Sequence, residues 1–354
     1  MTRVVIAGGG TGGHLYPGVA VARELLRRQP DAVVTFAGTA RGLESRLVPQ
    51  EGFELDVIRS VGLKGRSIVA AARGLAMVPV SLADAWSLLS RRRPHVVVGV
   101  GGYSSGPVVL IAALRRIPTM LLEQNAMPGL TNRLLARVVR AAALTYDDAG
   151  HYFGRRGFVT GNPVRPEFCN SPIPHGRRVL VLGGSQGAHA INVAMVAAAA
   201  ELCRRHAGLE IVHQTGPRDL DAVREGYRRA GVTASPESFL DRVAGQMTAA
   251  DVVVCRAGAT TLAELAAIGR PAVLVPFPAA TDDHQTKNAQ VLVDGGAAEM
   301  IAERALTPER LVDVVSALLA DDARRDAMSM AMRTFARPDA AARIVDRLTE
   351  MAAA

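Results

Sequence analysis

Aromatic residues make up only 4% of this 354-residue sequence, cysteines number 3, and lysine occurs at two positions, Lys64 and Lys287. Each scarcity excludes something. Cys169, Cys203 and Cys255 are odd in number and share neither CxxC nor metal-ligand spacing, so a disulfide framework and a zinc module are set aside. They read as reduced, buried thiols of a cytosolic protein. The five Tyr, eight Phe and one Trp are widely scattered. Nucleic acid is therefore not an expected partner, because stacking needs aromatics interleaved in a basic face. No signal peptide is read, since Gly8 to Gly13 interrupts the early apolar run. The longest uncharged stretch, Val96 to Leu114, is broken at its centre by Gly101-Gly102-Tyr103-Ser104-Ser105-Gly106-Pro107. It reads as strand, loop and helix rather than a bilayer span, and a soluble chain is expected.

Glycine (34 residues) and arginine are abundant instead. Apolar residues at 49% and charged residues at 21% exclude a wholly disordered or fibrous chain. The length exceeds what one core usually supports and predicts two domains. The net charge of +8 is carried almost wholly by arginine. It favours anionic partners such as phosphates or a membrane surface, although a genome rich in arginine codons explains charge alone equally well.

Short β-branched runs alternate with Ala/Leu/Arg-rich segments of helical length. Val4 to Ala7, Val33 to Ala37, Val96 to Val98 and Thr119 to Leu122 read as buried parallel strands. The grammar then restarts about half a chain later: Arg178 to Gly187 repeats the strand, Gly-rich turn and helix of Val4 to Gly13. Further strands are read at Glu210 to His213, Asp251 to Val254 and Ala272 to Val275. The fold class is therefore α/β, with two Rossmann-like doubly wound domains facing across a cleft. The expected divisions are residues 1–162, residues 163–336 and a C-terminal helix in 337–354 that packs back on the first domain.

Gly8-Gly9-Gly10-Thr11-Gly12-Gly13 matches G-x-G-x-x-G after a strand. A dinucleotide site also needs a carboxylate at the end of the second strand, and Phe36-Ala37-Gly38-Thr39 offers none, so nicotinamide and flavin are not expected. Any βα unit favours glycine at its turn. Two such turns at matched positions, each opening a helix whose free N–H groups attract an anion, suit a diphosphate. In the second half, Thr261 and Glu264 have the spacing of a capping box, which alone accounts for both. A carboxylate in the first turn of a ligand-facing helix, accepting from a ribose diol, is the other reading. Asp282, Asp283 and His284 are adjacent loop positions, a poor chelate pattern, and no metal is expected.

Gly9-Gly10-Thr11-Gly12-Gly13-His14, Gly101-Gly102-Tyr103, Glu123-Gln124-Asn125, Gly161-Asn162-Pro163-Val164-Arg165, Gly183-Gly184-Ser185-Gln186-Gly187 and the run Arg256 to Glu264 together resemble the MurG family. These are bacterial N-acetylglucosaminyltransferases of the GT-B fold that make lipid II. The resemblance spans roughly residues 3 to 350. It implies inverting transfer of GlcNAc from UDP-GlcNAc to the C4 hydroxyl of MurNAc in undecaprenyl-pyrophosphoryl-MurNAc-pentapeptide (lipid I), without cofactor or metal. Inversion requires a base for the hydroxyl and stabilisation of departing UDP. His14, opening the first helix, and Glu123 are the two candidate bases; the positive helix end would keep the imidazole neutral.

The same resemblance implies that Ser185, Leu240, Ala259, Thr260, Thr261, Leu262, Ala263, Glu264 and Gln285 hold UDP-GlcNAc from the second domain. Leu240 would meet uracil, Glu264 the ribose and Gln285 the sugar hydroxyls. Thr11, Gly12, Gly13, Asn125 and Arg165 would close on the donor from the first domain and linker. The family often carries two glutamines where this chain has His284-Gln285, after a loop one residue longer. Another UDP-sugar GT-B enzyme, including a UDP-GlcNAc epimerase, and a non-catalytic UDP-sugar scaffold are the alternatives.

A polyprenyl acceptor cannot leave the bilayer, so a peripheral position on the cytoplasmic membrane face is expected. Leu75, Val78, Leu82, Trp86 and Leu89 form a core-facing helical stripe. Met77, Val80 and Leu88 lie off it, and with Arg91-Arg92-Arg93 and nearby Arg59, Lys64, Arg66 and Arg73 they predict contact with anionic lipid.

Overall fold

Valine-rich runs in both halves of the chain pair as parallel strands, and each run is flanked by helices that cover its two faces. The computed structural model describes residues 1–10, 12–60, 76–168, 176–184, 186–280 and 283–353. The contacts divide these into one unit of Met1–Arg165 with Arg337–Ala354 and another of Pro166–Ala336.

The first unit runs β1 (Arg3–Gly8), α1 (Gly12–Arg28), β2 (Val33–Gly38), α2 (Glu44–Gln50), β3 (Glu54–Val57), α3 (Val78–Arg92), β4 (Val96–Gly101), α4 (Ser105–Leu114), β5 (Thr119–Glu123), α5 (Leu130–Leu135), β6 (Ala141–Leu144), α6 (Gly150–Phe153) and β7 (Gly157–Val159). Its seven strands are ordered β3-β2-β1-β4-β5-β6-β7, and every pair is parallel. Successive strand residues face opposite ways. Val4 and Ile6 therefore pack with Leu15 and Val19 of α1, while Val5 and Ala7 pack with Leu88 and Leu89 of α3 and Val108 and Val109 of α4. The last helix of the chain, Ala340–Ala353, joins this unit and buries Ile344, Val345 and Leu348 in the α1 face.

The second unit runs β8 (Arg178–Leu182), α7 (His189–Arg205), β9 (Glu210–Gln214), α8 (Leu220–Arg229), β10 (Ala234–Glu237), α9 (Val243–Ala249), β11 (Val252–Cys255), α10 (Ala259–Ile268), β12 (Ala272–Leu274), α11 (His284–Asp294), β13 (Ala298–Met300), α12 (Pro308–Ala320) and α13 (Asp322–Thr334), with the chain's last helix, α14, returning to the first unit. The order is β10-β9-β8-β11-β12-β13, again parallel throughout. Both units thus have the doubly wound α/β architecture.

Two features depart from the sequence reading. The buried face of α3 is Ser81, Ala85, Leu88 and Leu89, so Leu88 belongs to the core and Trp86, placed in the stripe, is exposed. Small residues at 81 and 85 let α3 lie close to its neighbours, and this rotates the face away from the bulkiest side chains. Leu75, Lys64, Arg66 and Arg73 lie outside the described residues. The arginines are also committed: Arg91 and Arg92 both bond to the buried Asp56 carboxylate, at 2.9 and 2.7 Å, and Arg92 also pairs with Glu54. Cys255 is buried as expected, its thiol pushed up to about 12 by burial and by the Glu264 charge, whereas Cys203 is only partly buried. Cys169 lies outside the described residues.

A buried polar chain braces the second unit. The Tyr227 hydroxyl lies 2.8 Å from His213 Nδ1, and His213 Nε2 lies 3.0 Å from Asn192 Oδ1. Asn192 Nδ2 in turn donates to the Thr215 carbonyl at 2.9 Å and to Asp219 at 2.8 Å. Because Asn192 uses its amide as donor, its oxygen accepts, so His213 is neutral with its proton on Nε2 and Tyr227 donates to Nδ1. Burial pushes the imidazole down from 6.5 to about 4, against a smaller opposing pull from Asp219. The unfolded chain takes up this proton near pH 6.5 and the folded unit resists until near pH 4. Stability is therefore fully present above pH 6.5 and falls through that window, by about 3 kcal/mol. Urea denaturation between pH 7 and pH 4 is expected to show this loss, and His213→Phe to flatten the slope; an unchanged slope would refute the assignment.

Candidate functional site

At the C-terminal end of β1 two glycine turns touch backbone to backbone. Gly102 has φ +78°, and a Cβ there would run into the Gly9 carbonyl; a Cβ on Gly8 would stand 2.7 Å from the Gly101 carbonyl. Only glycine permits this approach. From the turn α1 rises, with Gly12 and Gly13 as its first two residues and His14 third. The His14 ring lies against the Gly101 backbone, where a Cβ would stand 2.7 Å from Nδ1. Nδ1 itself lies 3.3 Å from Gln124 Oε1. Thr11 lies outside the described residues.

A carboxylate does stand behind this turn, although none ends β2. Glu44, fully buried, opens α2 and accepts from the Gly10 N–H at 2.8 Å, the Thr39 N–H at 2.8 Å and the Thr39 hydroxyl at 2.7 Å. A Cβ on Gly9, Gly38 or Gly42 would strike it. It ties the glycine turn to the end of β2, where a dinucleotide fold would present a carboxylate to a ribose. The sequence reading did not single it out; the only local signal was Gly42-Leu43-Glu44 after a strand.

Glu123 ends β5 with its side chain buried and turned to its own loop. Oε1 accepts from the Asn125 N–H at 3.0 Å and from its side chain at 3.2 Å; Oε2 accepts from the Gly129 N–H at 3.1 Å and Asn132 Nδ2 at 2.8 Å. Burial raises the pKa of this carboxyl, and the four donors pull against that rise. Asn125 is thereby held at the mouth of β5. Arg165 stacks its guanidinium 4.1 Å from the centroid of the Tyr16 ring on α1. His14, Glu123, Asn125 and Arg165 thus all belong to the first unit, gathered at the ends of β1 and β5 and on α1.

In the second unit the matching turn after β8 closes just as tightly. A Cβ on Gly187 would run into the Thr215 carbonyl, and one on Gly216 would stand 2.5 Å from Gly187 Cα. Ser185 lies outside the described residues. After β11, helix α10 begins at Ala259 with Gly258 as its N-cap and no side-chain cap. Thr261 is therefore the third helical residue, and Glu264 lies in the second turn rather than the first. The capping-box account of this pair is overturned. Thr260, Leu262 and Glu264 are buried, and Ala263 is partly exposed. Leu240 is buried in the loop between β10 and α9. Gln285 accepts from the Phe277 N–H at 2.9 Å, so it ties the start of α11 to the loop after β12. From the facing loop Arg256 donates to the carbonyls of Val275 and Pro276 and lies 5.2 Å from the Phe277 ring centroid. Asp283 accepts from the Thr286 hydroxyl at 2.6 Å. No cluster of three or more metal-ligating side chains occurs among the described residues.

Two Rossmann-like units with glycine turns at corresponding strand ends have the architecture of the GT-B fold, and the family matches make the chain a glycosyltransferase of that class. Models of the glycosyltransferase family 28 N-terminal and C-terminal domains match residues 4–144 and 178–344. The chain is 48% identical, over 99% of its length and 93% of the relative's, to the UDP-N-acetylglucosamine–N-acetylmuramyl-(pentapeptide) pyrophosphoryl-undecaprenol N-acetylglucosamine transferase of Anaeromyxobacter sp. (strain K). Against the Myxococcus xanthus (strain DK1622) enzyme of the same name it is 45% identical, over 98% of its own length and 92% of that enzyme's. The crystal structure of Acinetobacter baumannii MurG superposes with a TM-score of 0.78 at 30% identity, covering 99% of this chain and 100% of that one. The chain belongs to the MurG family of N-acetylglucosamine transferases. A Neisseria meningitidis UDP-GlcNAc 2-epimerase structure, 12% identical with a TM-score of 0.70 over 99% of this chain and 100% of that one, shares the fold alone.

Glu44→Ala is expected to leave the buried Thr39 N–H without its acceptor, at about 1–3 kcal/mol, and to release the more exposed Gly10 N–H from the brace. Chemical denaturation should show a lower midpoint for the first unit, and an unchanged midpoint would refute the bracing role.

Proposed function

We propose that this chain moves GlcNAc from UDP-GlcNAc to the MurNAc C4 hydroxyl of lipid I, giving lipid II with inversion. The observation that carries the reading is the 48% identity over nearly the whole chain to transferases of that name. In the step, the acceptor oxygen attacks the anomeric carbon as the bond from that carbon to the UDP oxygen breaks. The hydroxyl proton passes to a base and the negative charge passes to the leaving diphosphate. His14 is assigned as the base, since Glu123 spends both oxygens on its own loop and serves to position Asn125. Gly12 and Gly13 at the start of α1, with Thr11, Asn125 and Arg165, are assigned to the donor from the first unit. Ser185, Leu240, Ala259 to Glu264 and Gln285 are assigned from the second, where the first N–H groups of α10 favour an anion.

Radiolabelled UDP-GlcNAc with a lipid I analogue should yield labelled lipid II, and a plain muramyl sugar should take little label. Transfer to neither acceptor would overturn the reading, and UDP-GlcNAc consumed without acceptor would favour an epimerase. In the same assay His14→Ala is expected to lower kcat by at least about 10²-fold with donor affinity nearly kept. A loss confined to donor affinity would reassign His14 to phosphate binding.

We assign the membrane contact, on the cytoplasmic face and with anionic lipid, to the first unit at the middle of α3 and the C-terminal end of α4. Trp86 is 54% exposed and Leu114 70%, and the Arg115 guanidinium lies 4.9 Å over the Trp86 ring. An indole flanked by a cation beside an exposed leucine suits an anionic headgroup region. No described helix is long and apolar enough to cross a membrane. Because Arg91 and Arg92 balance the buried Asp56, removing them is expected to cost stability rather than to report lipid contact. Trp86→Ser with Leu114→Gln should cut binding to anionic vesicles, while transfer to a short-chain soluble acceptor stays nearly unchanged. Equal loss on soluble and membrane-embedded acceptors would place the patch in acceptor binding instead.

A further inference from the structure

We infer that Gln124 is a positioning residue that fixes the protonation pattern of the His14 ring. The inference rests on the assignment of His14 as base. Gln124 follows β5 and is buried. Its Nε2 donates to the Val100 carbonyl at the end of β4, at 3.0 Å. A carbonyl only accepts, so this contact fixes which end of the amide faces which way. Oε1 is thereby turned toward His14, 3.3 Å from Nδ1. An amide oxygen likewise only accepts, so Nδ1 carries the proton and Nε2 holds the lone pair.

A free imidazole prefers the opposite tautomer, with its proton on Nε2, and that form offers its basic lone pair at Nδ1. In this site Nδ1 faces Gln124 and the Gly101 backbone. The Gln124 contact therefore puts the basic atom on the other edge of the ring. Two strand ends cooperate: β4 supplies the Val100 carbonyl that orients the amide, and β5 carries the amide. Other titratable or charged groups on the surrounding elements are Glu44 behind Gly10, Glu123 turned to its own loop, Tyr103 beside Gly10, and Tyr16 of α1 with the Arg165 guanidinium stacked on it. None of these is the group that Nδ1 meets in the Gln124 contact.

Nitrogen-15 NMR of histidine-labelled protein, with the His14 signals identified by their loss in His14→Ala, reads the tautomer directly. The wild type is expected to show a protonated Nδ1 and an unprotonated Nε2 near neutral pH, and Gln124→Leu to shift the ring toward the opposite form. Gln124→Leu should lower kcat by at least about tenfold with the donor KM nearly kept. Gln124→Glu places a carboxylate on Nδ1 and stabilises the imidazolium, so it should move the acidic limb of the kcat profile to higher pH while activity persists above it. A wild-type ring protonated on Nε2 would overturn the inference whether or not any variant folds. An expected wild-type spectrum with full activity in His14→Ala would overturn the base assignment instead.

Discussion

The constraint on which both halves of this molecule depend is contact between bare backbones at the ends of their central strands. Gly102 meets the Gly9 carbonyl in the first unit, and Gly187 and Gly216 meet across the turn after β8 in the second. Where two loops touch at this separation no side chain fits, and the positive φ of Gly102, Gly187 and Gly216 would strain any other residue. The contact sets where α1 begins, and so where His14 lies against Gly101. It leaves the first N–H groups of the helices directed outward from the strand ends, which is what an anionic donor requires.

Each unit then holds its turn from behind with a buried polar group, and the two do so differently. The first uses an ionisable carboxylate, Glu44, whose oxygens take two backbone N–H groups and a hydroxyl. The second uses a chain of neutral groups, Tyr227, His213 and Asn192, whose amide ends on the Thr215 carbonyl and the Asp219 carboxylate. A buried polar group is costly only when its partners are missing, and in both braces the donors and acceptors named are matched. The difference has a consequence for acid: the neutral chain is tuned to an uncharged imidazole, so the brace of the second unit weakens as pH falls below 6.5. Glu44 also separates this fold from dinucleotide-binding relatives. A carboxylate that in those folds would reach a ribose is here consumed by the protein's own turn.

Much of this was legible in the order of residues and some of it was not, for physical reasons. The strands β1, β2, β4, β5, β8, β9, β11 and β12 announce themselves because central parallel strands are buried on both faces and read as continuous apolar runs. The interior β6 was not read because its sequence, Ala141 to Leu144, is three alanines and a leucine, chosen to fit between neighbours rather than for strand propensity. The edge strand β10 contains Pro236, which is tolerated only at an edge, and β3, β7 and β13 are short. The phase of α3 was misread because bulk was taken as the mark of the core, whereas Ser81 and Ala85 are buried by being small. The acidic partners of Arg91 and Arg92 lie in β3, some 35 residues earlier in the chain, so a run of three arginines looked available when two were committed.

The candidate site divides along the same line. Positions expected to act through backbone geometry, such as Gly12 and Gly13, are readable because a glycine turn between a strand and a helix is a local pattern, whereas Ala259 to Ala263 are named by the family resemblance. Groups that act by bonding across the sheet have no such signature: His14 and Gln124 are 110 positions apart, and Glu44 reaches Gly10 over 34. Within Glu123-Gln124-Asn125, sequence offered the acid as a rival base, but the alternation of a strand end sends neighbours in opposite directions. Glu123 turns into its loop and Gln124 turns back toward Val100 and His14. Three consecutive polar residues therefore do three different things, and an uncharged one, Gln124, is the one that meets the imidazole.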